Sequence, residues 1–386
     1  MLMTKYTKHL FYLLVATLFL GMPQAAPAQT GDDVFTVSDV RVDVTADNAV
    51  AAREKAFAEA QIMAFDALAE KLSGSSENNT PNVPDPSVIS TMIKDFEVTG
   101  EQLSAVQYIG TYTFRFDGNA VRNHFNTRGV SYSDVESRPV LVLPFFESGT
   151  RMILWSDPNP WRDAWSRSGN VRGNGLVPIA VPLGDIQDIS GIGDGQALNY
   201  DPIALRPLLD RYNAAEAVII IARPTSQDGE DNPLSLDVMI YRTDRGSPEY
   251  VTTLKVTADE AGNPDSLYNR AVVESRSAIQ SDWKAETAVN LGTDSVQTIL
   301  LRAEFDTMQQ WVETRQALKR VQGISEMKIK SVTPREAQVE ITYIGYENRL
   351  RLALEQAELS LGTGQRVMMY DTLPTHTVRL KKYAPF

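Results

Sequence analysis

Pro139-Val-Leu-Val-Leu-Pro-Phe-Phe146 is a continuous apolar run, and continuity rather than alternation marks a strand buried on both faces, as in a parallel or mixed sheet. A second such run, Ala217-Val-Ile-Ile-Ile-Ala222, follows an amphipathic helical stretch from Pro202 to Tyr212. Two buried strands with a helix between them are the signature of a βαβ unit. Ile179 to Leu183 reads as a further strand, and Leu234 to Tyr241 with Tyr250 to Val256 as an antiparallel pair closing the sheet. From Leu267 to Val289 the residues Ala271, Val272, Ser275, Ile279 and Trp283 form one helical stripe. An α/β domain is therefore expected over residues 139–290.

Upstream, residues 31–125 read as a small α+β domain. Val34 to Val44 alternates as a strand, with Val40, Val42 and Val44 on one face. A long helix follows from Ala49 to Leu72, its apolar side placed on Ala56, Ala60, Met63, Ala67 and Leu68, with Asn48 as N-cap and Gly74 as stop. Gly74 to Pro86 is a Ser-, Asn- and Pro-rich loop. A short helix at Val88 to Lys94, strands at Phe96 to Ser104 and Gln107 to Phe116, and a helix at Asn119 to Phe125 complete the block. Residues 126–138 are polar and aperiodic, and read as a linker.

Downstream, residues 293–375 spell β-α-β-β-α-β: strand Ser295 to Ala303, helix Asp306 to Val321, strands Met327 to Val332 and Ala337 to Ile344, helix Glu347 to Leu359, strand Gln365 to Tyr370. That order is the ferredoxin-like plan. Residues 376–386 read as a basic tail. The fold class is thus α/β and α+β, in three small mixed domains.

The N-terminus carries an address. Lys5 and Lys8 precede the apolar stretch Leu10 to Leu20, and Ala26-Pro27-Ala28 offers a small-x-small cleavage site after Ala26 or Ala28, the pattern of a signal peptide over residues 1–28. The stretch is too short for the roughly 20 residues of a spanning helix, so no stable membrane anchor is expected after processing. Export places the chain in the periplasm. Loss of Lys5 and Lys8 takes the formal charge from -12 to -14. Such an acidic chain disfavours nucleic acid and anionic lipid as partners. The absence of cysteine excludes thiol catalysis, iron–sulfur clusters, thiolate zinc sites and disulfides.

Little in the sequence points to catalysis. After processing only His124 and His376 remain, neither beside a nucleophile or at metal-ligand spacing, and no H-E-x-x-H or D-x-D pattern is present. No serine is assigned to a G-x-S-x-G elbow or to an S-x-x-K motif, and nothing points to lysine-paired serine chemistry. Gly184 to Asp201 gathers Gly184, Gly191, Gly193 and Gly195 with Asp185, Asp188, Asp194 and Asp201, but follows neither a phosphate-loop nor a calcium-loop spacing. No catalytic, metal or cofactor site is therefore assigned, and no cofactor is expected. The leading candidate surface is Trp155 to Trp165, where Trp155, Trp161 and Trp165 mix with Asp157 and Arg162. Such a cluster serves either as a stacking platform for glycan or a protein partner, or as a helix packing its rings on the sheet.

Several motifs together resemble the secreted bacterial family carrying the domain of unknown function DUF2066. They are Ala52-Arg-Glu-Lys-Ala56, Leu68-Ala-Glu-Lys-Leu72, Tyr112 to Phe116, Arg138-Pro-Val-Leu-Val-Leu-Pro144, Trp161-Arg-Asp-Ala-Trp165, Val181-Pro-Leu-Gly-Asp185 and Tyr212-Asn-Ala-Ala-Glu-Ala-Val218. The resemblance implies an address and an architecture, not an activity. A looser likeness, of domain order only, is to the amino-terminal domain of TolB and the flagellar assembly protein T family. The expectation is a non-enzymatic periplasmic accessory or scaffold protein with an envelope protein partner. Its alternatives are an envelope glycan-binding module built on Trp155 to Trp165, or an enzyme of unrecognised type.

Overall fold

The computed structural model describes residues 33–73, 83–169, 175–225, 235–243, 249–258, 263–289, 296–362 and 375–383. The expected signal peptide, most of the loop from Gly74 and the expected strand Gln365 to Tyr370 lie outside them. The first unit comprises β1 (Thr36–Thr45), α1 (Ala49–Leu72), α2 (Pro86–Ser90), β2 (Ile93–Leu103), β3 (Gln107–Phe116) and α3 (Gly118–Arg128). Its sheet is antiparallel, ordered β1-β3-β2. Helix α1 packs on one face through Ala52, Ala56, Ala60, Ala64, Phe65 and Leu68. Met63 and Ala67, expected inside, are exposed, because the buried stripe runs through Ala64 and Phe65 instead. Asn48 caps the helix by accepting from the Ala51 N–H at 3.0 Å. At its far end the Ser73 hydroxyl donates to the Ala69 carbonyl at 2.6 Å.

The second unit contains β4 (Val140–Ser148), β5 (Arg151–Ile153), α4 (Pro160–Ser168), β6 (Ile179–Ala180), α5 (Ile186–Gly191), α6 (Asp194–Leu198), α7 (Pro202–Arg211), β7 (Glu216–Pro224), β8 (Ser235–Arg242), β9 (Glu249–Thr257) and α8 (Pro264–Thr287). Its sheet runs β5-β4-β7-β8-β9, with β6 paired parallel to β4. Strands β4 and β7 are parallel, from Val140 opposite Glu216 to Phe146 opposite Ala222, with α7 in the crossover. The continuous apolar run has a simple cause. Val140, Val142 and Phe146 join the cluster that contains Trp161, Trp165 and Ala271 from α4 and α8. Leu141, Leu143 and Phe145 join Leu205, Leu208 and Leu209 of α7 on the other face. The strand expected at Ile179 to Leu183 pairs only over Ile179–Ala180.

The third unit has β10 (Val296–Glu304), α9 (Met308–Arg320), β11 (Ile324–Val332), β12 (Glu336–Ile344), α10 (Glu347–Gln356), β13 (Leu359–Gly362) and β14 (Thr375–Leu380). Strand β12 lies between β10 and β11, antiparallel to both. The plan then departs from the four-stranded ferredoxin-like expectation. Strand β14 lies parallel to β10 and antiparallel to the edge strand β13, making five strands ordered β11-β12-β10-β14-β13. The expected basic tail is therefore this inner strand in its first part. Val378 and Leu380 are buried, while Arg379 pairs with Glu304 at 2.9 Å and Lys382 with Glu313 at 2.8 Å.

The expected linker is a buried connector. Its first residues continue α3 to Arg128, and Tyr132, Ser133, Asp134, Val135 and Ser137 are all buried. Tyr132 bridges Ser73 of the first unit and Val289 at the end of the second. The Ser133 N–H donates to the Leu72 carbonyl at 2.9 Å, and the Trp283 indole donates to the Val135 carbonyl at 2.7 Å. Gln322 and Gln356 of the third unit accept from the Glu136 and Arg138 N–H groups at 2.7 and 2.6 Å. Asp134 stands at the centre. One carboxylate oxygen accepts from Arg122 of α3 at 2.6 Å and the other from Arg349 of α10 at 2.5 Å. Arg349 also donates to the Thr287 carbonyl at 2.9 Å, which ties in α8. Consistent with this clamp, buried side chains of all three units belong to one hydrophobic cluster.

Burial pushes the Asp134 carboxyl up, but Arg349 and then Arg122 outweigh it and hold it below the ordinary carboxylate range. Its stabilising contribution is therefore complete above that range and is lost only as pH falls through the lowered value. Asp134→Asn should cost about 3–5 kcal/mol in urea unfolding, because it leaves the guanidinium groups without their buried counter-charge. The same variant should show a flatter loss of stability below about pH 4 than the parent chain.

Candidate functional site

The tryptophan segment is core. Trp155, Trp161 and Trp165 are all buried. Asn159 starts α4 by accepting from the Arg162 N–H at 2.9 Å, and its amide donates to the Leu154 carbonyl at 3.1 Å. The helix thus turns Trp161 and Trp165 onto the sheet, ring centroids 5.7 Å apart and edge to face. The Trp161 indole donates to Ile220 of β7 at 3.3 Å, and the Arg276 guanidinium lies 5.0 Å over the Trp165 ring. The Trp155 indole donates to the Ile192 carbonyl at 2.8 Å. Arg162 binds the Trp155 carbonyl at 2.7 Å and Asp157 at 2.6 Å, and Asp157 alone of the five candidates is widely exposed. These rings have no free face for a sugar, which corrects the stacking-platform reading.

The Gly/Asp stretch from Gly184 to Asp201 forms two short helices and their caps. Asp185 caps α5, accepting from the Gln187 and Asp188 N–H groups at 3.1 and 3.0 Å, and Asp201 caps α7. Asp194 accepts from the Trp155 N–H at 3.3 Å. Asp188 is fully buried, taking hydrogen bonds from Gly184 at 2.9 Å, from the Tyr212 hydroxyl at 2.8 Å and from Arg211. Arg211 also grips Asp185 through both carboxylate oxygens, at 2.7 and 2.6 Å. Its hydrogen bond holds the Asp185 carboxyl below the usual range. Burial pushes the Tyr212 hydroxyl up to about 12, so it remains a donor across the neutral range. Gly184 sits at φ +67°, a left-handed turn that favours glycine. The result is a polar clasp fastening α5 to the end of α7.

Above the clasp, α5 is inside out. Its one buried residue is Asp188, while Ile186 and Ile189 face solvent with 85% and 47% of their surface exposed. Leu183 just before the helix is 74% exposed, and Ile203 on the neighbouring α7 is 85% exposed. Apolar burial is the dominant drive in folding, so a helix that buries a carboxylate and displays isoleucine runs against it. This α5–α7 face is the candidate functional site. The sequence reading missed it because it weighed the stretch for its glycines and acids. The spacing Leu183, Ile186, Ile189 was visible, but nothing local says which side of so short a helix meets the sheet.

The other candidates have structural partners. His124 packs edge-on to Phe65 at 5.3 Å, and its Nδ1 lies 3.1 Å from Arg128; burial first, then Arg128, lowers its pKa. His376 sits on β14 with Nε2 3.4 Å from Glu347. Two Ser-x-x-Lys spacings correct the serine reading: Ser281 with Lys284, and Ser325 with Lys328. Lys284 donates to the carbonyls of Glu70 and Ser73 at 2.7 and 3.0 Å, and Lys328 pairs with Glu326 at 2.8 Å. Both ammonium groups are thus held by groups other than those serines. A shallow cleft of about 240 Å³ in the third unit is lined by Glu313, Gln316, Arg320, Glu358 and Lys382, with charges of both signs. Among the described residues no group of three or more His, Asp or Glu is placed to hold a metal ion, and no helix is long and apolar enough to cross a membrane. Compared with protein-family models and with curated proteins, the chain matches none.

Trp161→Ala and Trp165→Ala should each lose about 3–5 kcal/mol in urea unfolding. Asp157→Ala should stay within about 0.5 kcal/mol of the parent. Arg211→Ala strips the buried Asp188 of its cation, so amide hydrogen exchange across residues 184–191 should rise well above that of β4 and β7.

Proposed function

We propose that this chain is a secreted, periplasmic accessory or scaffold protein of the bacterial cell envelope, working through its surfaces rather than through catalysis. The observation that carries the reading is the connector. A stretch whose polarity reads as a linker is buried and fastened to every unit by Asp134, Arg122 and Arg349. A rigid frame of that kind holds surfaces at fixed separation, which is what a scaffold requires. The address rests on Lys5, Lys8, Leu10 to Leu20 and Ala26 to Ala28, together with the resemblance to the DUF2066 family. Glycan binding through Trp155 to Trp165 loses its support because those rings are buried.

The test is localisation and crosslinking of the tagged chain in intact cells, followed by mass spectrometry. Recovery in the periplasmic fraction with reproducible links to one envelope complex is the expected result. Cytoplasmic retention, or retention on purified cell-wall sacculi without protein links, would overturn it.

A further inference from the structure

The inside-out helix has a constructed support. Asp188 is fully buried and accepts from Gly184, Arg211 and Tyr212, and Asp185 is gripped by the same guanidinium. Every polar group that turns the buried side of α5 inward is thus matched, so the outward display of Leu183, Ile186 and Ile189 follows from a built clasp. Helix α7 packs against α5. It buries Leu205, Leu208 and Leu209 against the sheet and leaves Ile203, Arg206, Pro207 and Asp210 outside. Leu183, Ile186 and Ile203 are the three most exposed large aliphatic side chains of the described residues. Exposed apolar patches rimmed by polar groups mark interaction sites.

Charge selects the occupant. Between Leu183 and Arg211 the chain has five aspartates and two arginines. Both arginines are already engaged, Arg211 with Asp185 and Asp188, and Arg206 with Asp210 at 3.1 Å. Asp188 is fully buried, and the other four aspartates still outnumber the two arginines, so this stretch of surface is net acidic. Face-to-face pairing of two copies, or docking on an anionic lipid surface, would set like charges against one another. We propose that the α5–α7 face is a docking surface for an amphipathic segment of another protein, whose apolar side chains are flanked by lysine or arginine. The proposal rests on the scaffold reading and names the chemistry of the partner.

Two fluorescent amphipathic peptides with the same leucine face, one flanked by lysines and one by glutamates, test it by polarisation against the full secreted chain. The lysine-flanked peptide should bind and the glutamate-flanked one should bind about tenfold more weakly or worse. The double variant Ile186→Asp, Ile203→Asp should lose the binding. It adds negative charge, so attraction by charge alone would instead strengthen. Both side chains project into solvent, and an unchanged circular dichroism melt confirms that the fold is kept. Equal binding of the two peptides, binding retained by the double variant, or no binding of either overturns the docking surface. So does concentration-dependent self-association of the parent chain that the double variant abolishes, which would assign the face to a second copy. Crosslinks to an envelope complex through other surfaces, with an α5–α7 face blind to both peptides, would sink this proposal and leave the scaffold reading standing.

Discussion

A single buried carboxylate holds this architecture together. Asp134 accepts from α3 on one side and α10 on the other, and Arg349 passes the restraint on to the end of α8. Taking such charges out of water is costly, and they are tolerable only when every lone pair and N–H is matched. Here each guanidinium nitrogen of Arg349 has a partner: Nε the Thr287 carbonyl, Nη1 the Ile344 carbonyl at 3.0 Å and Nη2 Asp134. The geometry of that match specifies how the three sheets meet. A purely apolar junction would hold them as firmly with less directional control.

The same logic operates twice more in the second unit. Arg242 is buried against Glu216 and Asp282, with its guanidinium 5.4 Å over the Trp283 ring, and so locks β8 and β7 to α8. Arg211 does the equivalent for α5 and α7. The three arginines differ in consequence. Arg349 and Arg242 lie inside the frame, whereas Arg211 holds a short helix whose outer side is apolar. Exposed isoleucine without an occupant gains nothing from folding, since it remains in contact with water. Its retention on a helix that buries a carboxylate instead is the reason to read this face as functional.

Legibility followed range. The doubly buried strands β4 and β7, the long helices α1 and α8, and the alternating strand β12 lie within a few residues of where apolar periodicity puts them, because their burial repeats over many positions. Short or isolated features were less readable. Polarity at residues 126–138 suggested solvent, yet Ser133 and Asp134 are buried with their side chains bound to Thr287 and Arg349, partners far away in the chain. The basic character of residues 376–386 suggested a free tail, yet β14 sets Arg379 between the inward Val378 and Leu380, a pattern only a few residues long. The tryptophans left two readings open, and only the neighbours supplied by β7 and α8 decide for packing.

By itself the amino-acid sequence determined that this chain is a mixed α/β and α+β protein without cysteine chemistry, with strands and helices set by local apolar period. Those properties depend on residues close together, whose spacing is the physical signal. Tertiary structure alone decided that the connector is buried, that the tryptophans are core and that α5 shows its isoleucines to solvent. Each of these turns on a polar partner 23 to 215 residues away: Arg211 for Asp188, Ile220 for Trp161, Arg349 for Asp134. A buried charge reads in sequence like an exposed one, because the group that neutralises it is brought there by the fold.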